Sequence, residues 1–240
     1  MEPIAVFESR LGDKVPIFYY SGEIKTLSTV SDIDAYIVST EDGFSPLGSN
    51  RRFLSSALGI PEKEIQQLAN WNRFENPRVS LVAFKSRIMD SSLRGVILAA
   101  SESSASYKRF AMPNYGRPYR DFYYNVTYEA IAYASQKWGA NCFAISHLSG
   151  CNSFHEDIAT SNAEALLHYC NETAHSIRSF IFLRDCDIDR EHLAGIGRLN
   201  FENETSQHRP ISIEFEHCDG YDLVHLDWCN DATMHNLLNS

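Results

Sequence analysis

The chain has 240 residues, 44% of them hydrophobic, and a formal net charge of -10. That length suffices for one sizeable core with an appendage, and no apolar run reaches the roughly 18 residues of a membrane-spanning helix. Residues 1–137 hold 16 basic and 15 acidic groups while residues 138–240 hold 5 and 16, an imbalance that argues against a general nucleic-acid surface in the C-terminal part.

The start, "MEPIAVFESRLGDK", has neither a basic opening nor a long apolar run, so a cytoplasmic location is expected. "IAVFES" and "PIFYYSG" predict two short strands split by the turn "LGDK". "DIDAYIVST" is apolar and β-branched enough for a buried strand, and it runs into the loop "EDGFSPLGSN". "RRFLSSALGI" predicts a short helix, and "PEKEIQQLANW" a second one opened by proline and acids. "RVSLVAFKSRI" and "GVILAAS" predict two more strands, followed by a long loop over residues 101–120.

"DFYYNVTYEAIAYASQKWGA" predicts a helix capped by Asp121, stopped by Gly139 and buried along Val126, Ala130, Ile131, Ala134 and Trp138. The strand "NCFAIS" follows, then the loop "HLSGCNSFHED", the helix "IATSNAEALLHYCNETAH" and the strand "SFIFLR". This alternation predicts a mostly parallel sheet covered by helices, with ligands at the carboxyl ends of its strands. Beyond residue 184 the chain turns polar and acidic. "PISIEFEH" and "YDLVHLDW" around Asp219–Gly220 then predict an antiparallel hairpin, added to the sheet's edge or lying over it.

Three loops leave carboxyl ends, "TEDGFSPLGSN", "SESSASYKRF" and "HLSGCNSFHED", and are the candidates for one pocket. "HLSGCNSFHED" combines small residues before a helix, which suits an anion, with His147, Cys151 and His155, which suit a metal or a Cys–His nucleophile and base. Neither a HExxH pattern nor a CxxC pair occurs among its histidines or the six cysteines, so no metal or cofactor is expected. "TEDGFSPLGSNRR" offers Gly48, Ser49, Asn50 and Arg51 to a phosphate, and Glu41 and Asp42 to a sugar or a water. "YGRPYRDFYYN" brings Tyr115 and Phe122, which can stack on a base. Asp185, Asp187 and Asp189 alternate but lack the glycine and terminal glutamate of a calcium loop.

The ordered series resembles the macro domain, the family of ADP-ribose-binding modules. "GEIKTL" resembles its early Gly-Asp-Ile-Thr stretch, and "DAYIVSTEDG" its Asp-Ala-Ile-Val-Asn-Ala-Ala-Asn strand end. "LGSNRRFLSSALG" resembles its first loop and helix, and "YNVTYEAIAYASQKWGANCFAISHLSG" its long helix, buried strand and second phosphate loop. The likeness spans residues 16–184. It implies an α/β, three-layer, macro-domain-like fold over 1–184, with a mixed sheet and helices on both faces, and a C-terminal extension with a β-hairpin over 185–240.

The resemblance also implies ADP-ribose or a related nucleotide diphosphate as partner. Gly48, Ser49, Asn50 and Arg51 would hold one phosphate, and Ser149, Gly150 and Cys151 the other. Tyr115 or Phe122 would cover the base or ribose. The family's closing Asn, which supports hydrolysis, is replaced: Glu41 stands there in ungapped matching, Asp42 after a one-residue slip. Either would position a water for hydrolysis of an ADP-ribosyl or acyl ester bond. The alternative is an interaction or structural module without turnover. No membrane partner is expected, and the hairpin is compatible with a homodimer.

Overall fold

The computed structural model describes residues 1–9, 11–20, 24–27, 32–40, 48–65, 67, 79–100, 117–146, 155–172, 176–183, 213–218 and 221–226. The strands are β1 (Ala5–Glu8), β2 (Lys14–Tyr20), β3 (Ala35–Thr40), β4 (Val79–Lys85), β5 (Gly95–Ala100), β6 (Cys142–Ile145), β7 (Ser179–Leu183), β8 (Ile213–Cys218) and β9 (Tyr221–Leu226). The helices are α1 (Ile24–Leu27), α2 (Gly48–Leu58), α3 (Arg117–Trp138) and α4 (His155–Glu172).

The nine strands among the described residues form one sheet in the order β1-β2-β7-β6-β3-β5-β4-β9-β8. β2, β7, β6, β3 and β5 run parallel; β1 joins one side antiparallel, and β4, β9 and β8 join the other. The connections β5-α3-β6 and β6-α4-β7 move across the sheet in one direction, while β2-α1-β3 moves in the other. Parallel crossovers are right-handed, so α3 and α4 cover one face and α1 lies on the opposite face, beside α2.

Burial follows this layering. In β3, Ala35 to Val38 are each at most 3% exposed, because a parallel strand covered on both faces has no wet side. The stripe of α3 is buried as the spacing predicts: Val126, Ala130, Ile131, Ala134 and Trp138. Each large apolar side chain in such a place contributes about 1.5–3 kcal/mol relative to exposure. Polar contacts join α3 to α4. The Thr127 hydroxyl donates to Asn162 Oδ1 at 2.9 Å, and the Tyr124 hydroxyl meets His168 Nδ1 at 2.7 Å. Tyr128 stacks on Tyr124 and packs edge-on against Tyr169.

Three helices start earlier than the apolar pattern indicates. α2 begins at Gly48, not after the loop "GSN"; α4 begins at His155; α3 begins at Arg117, which leaves Asp121 inside the helix and not at its cap. Pro118 is the second residue of α3, where its fixed φ fits and no N–H is needed. In α4, Glu156 and Asp157 fall in the first turn, where acids favour the helix dipole. Gly139, at φ +63, ends α3 as expected.

The hairpin joins the sheet through β9, which pairs antiparallel with β4 across a register irregularity between Val79 and Leu81. Of the two arrangements its sequence allows, it takes the edge addition.

One titrating group sits in the α3 layer. Glu129 is 8% exposed, and burial pushes its carboxyl up to about 7. A raised folded value favours the protonated form in the folded state. The associated stability is therefore full below the unfolded value of 4.5 and is lost as pH rises through about 7. Glu129→Gln is expected to stabilise the protein by about 1–2 kcal/mol at pH 8 and by almost nothing at pH 4. Urea denaturation at both pH values checks this, and an equal effect at the two would contradict it.

Candidate functional site

The sheet brings the carboxyl ends of the three strands that precede the candidate connections to one edge. β6, β3 and β5 are parallel neighbours. Thr40 pairs with Ala100 at the ends of β3 and β5; Ile37 pairs with Ile145 at the end of β6, and the Ser146 N–H donates to the Ile37 carbonyl at 2.9 Å. The chain thus leaves three adjacent strands on the same side, at residues 41, 101 and 147, and each connection leads to a helix: α2, α3 and α4.

The opposite ends of α2 and α3 are fixed at the amino edge. Arg94 Nη1 donates to the Trp138 carbonyl at 2.5 Å, next to the start of β5, and so caps α3. The Arg87 N–H donates to the Leu58 carbonyl at the end of α2 at 2.8 Å. Arg87 also pairs with the Glu64 carboxylate. With their C-termini held there, α2 and α3 direct their N-termini to the carboxyl edge. The first amides of a helix lack intrahelical partners and favour anions. In α2 the first four residues are Gly48, Ser49, Asn50 and Arg51, the residues singled out from sequence. Arg51 is half-buried. Phe122 falls in the second turn of α3. Glu41, Asp42, Tyr115, Ser149, Gly150 and Cys151 lie outside the described residues, as do His147 and the Asp185, Asp187 and Asp189 run.

Two acids are excluded from this edge. Asp34 is 7% exposed, and its Oδ2 accepts the backbone N–H groups of Asn141 at 2.7 Å and Cys142 at 3.0 Å. It ties the amino end of β3 to that of β6. Asp32 is exposed and also precedes β3. Among the described residues no group of three His, Cys, Asp or Glu side chains could hold a metal ion, and no helix is long and apolar enough to cross a membrane. Cys142 and Cys170 are free thiols; burial, aided by Asp13, pushes Cys170 up to about 12, far from a reactive thiolate.

Sequence reasoning passed over Tyr36. Its ring is 1% exposed on β3, edge-on to Phe53 of α2 with centroids 5.9 Å apart. Its hydroxyl has no hydrogen-bond partner among the described residues, and burial, with Tyr20 nearby, raises its pKa well above the ordinary phenol range. Tyr20, at the carboxyl end of β2, shares a 2.6 Å hydrogen bond with Thr26 of α1. A tyrosine inside the apolar run "AYIV" was the available signal: a buried hydroxyl calls for a partner.

No protein-family model and no curated protein matches the chain. Solved structures do. Two single-site mutants of the Oceanobacillus iheyensis macrodomain each superpose with a TM-score of 0.50 at 9% identity. One match covers 77% of this chain and 90% of that one; the other covers 80% and 88%. The fold is that of a macrodomain. At this identity the likeness lies in the order and pairing of the elements.

Proposed function

We propose that this chain is a divergent macrodomain that binds ADP-ribose or a related nucleotide diphosphate at the carboxyl edge of β6, β3 and β5. The observation that supports this best is the start of α2 at Gly48, which puts Gly48, Ser49, Asn50 and Arg51 in the first turn, where a helix gives its backbone amides no acceptor of its own. In this reading those amides and the Arg51 guanidinium hold one phosphate, and Ser149, Gly150 and Cys151 hold the second. Tyr115 or Phe122 covers the base or ribose. Residues 1–184 form the macrodomain unit and residues 185–240 an extension on it.

Hydrolysis is the reaction to expect if turnover exists. Glu41 or Asp42, beyond the end of β3, would orient a water against the ADP-ribosyl or acyl ester bond as general base. Without that step, the protein is a reader of the ligand or an interaction module.

Calorimetric titration with ADP-ribose, with AMP and ATP as controls, tests the binding. Heat with ADP-ribose, abolished by Gly150→Glu and unchanged by His225→Ala, is the expected result. No heat and no thermal shift at millimolar ligand would overturn the proposal. Glu41→Gln and Asp42→Asn, assayed on an ADP-ribosyl ester, then separate binding from turnover.

A further inference from the structure

We draw no further inference here: the strongest candidate, the apolar surface patch that the exposed Ile88 and Met89 present at the tip of the β4–β5 connection, carries none, because nothing in the structure shows what covers it.

Discussion

Replacing Gly95 with valine is expected to lower the melting temperature by roughly 6–12 °C, the equivalent of about 3 kcal/mol in a domain of this size. Gly95 opens β5 where the sheet, α3 and β4 meet. A Cβ added there would lie 2.6 Å from the Phe84 carbonyl oxygen and 2.6 Å from the Trp138 ring. The ring has some freedom; the carbonyl belongs to the β4–β5 ladder, whose register opposes Phe84 to Val96 and Lys85 to Gly95. Relief requires either a broken strand pair or a displaced helix end. Gly95→Ala already introduces the clash, and Gly95→Val adds two methyl groups. Trp138→Leu in the Gly95→Ala background removes the ring but not the carbonyl, so it restores only part of the loss. Thermal unfolding followed by circular dichroism measures this; a shift within about 2 °C for Gly95→Val would contradict the packing described.

Asp34→Ala is expected to cost about 2–4 kcal/mol, with Asp34→Asn costing about 1 kcal/mol. One carboxylate oxygen of Asp34 accepts two backbone N–H groups from a segment 107 and 108 residues away in sequence. Alanine strands both donors at the entrance to β6. Asparagine retains an acceptor oxygen and gives up only the charge. The same residue uses its main chain twice more: its N–H donates to the Cys142 carbonyl, and its carbonyl accepts the Arg94 N–H. Urea denaturation of the two variants separates the contributions. Equal losses for alanine and asparagine would mean that charge, and not the pair of accepted bonds, holds β3 to β6.

The element order was legible because each buried strand and helix stripe carries its own period. "DAYIVST" reads as an apolar run, and the stripe from Val126 to Trp138 repeats at helical spacing. Helix starts were less legible. The first turns of α2, α3 and α4 add little to an apolar stripe, so Gly48 and Arg117 resembled the ends of loops. The strand that receives the hairpin was not legible either, since period-two alternation in "ISIEFEH" marks a strand without naming its neighbour. Asp34 could not be singled out as a clasp, because its partners at Asn141 and Cys142 are visible only once β3 and β6 are side by side. At the site, Gly48 to Arg51 could be singled out by small size, charge and family likeness. Tyr36 could not, because its chain neighbours look like pure core.

The bonds at the amino edge have a consequence for how this protein changes over time. The closure made by Asp34, Arg94, Gly95, Trp138 and Gly139 relies largely on backbone atoms, a small set of side chains and one close approach. Such a clasp constrains few positions by identity. Substitutions can accumulate along the remaining strands, provided each stays apolar where it is covered, and the connections at the far edge can be rewritten without loosening it. A sequence built this way can stand at 9% identity to a protein of the same fold and still thread its strands in this order.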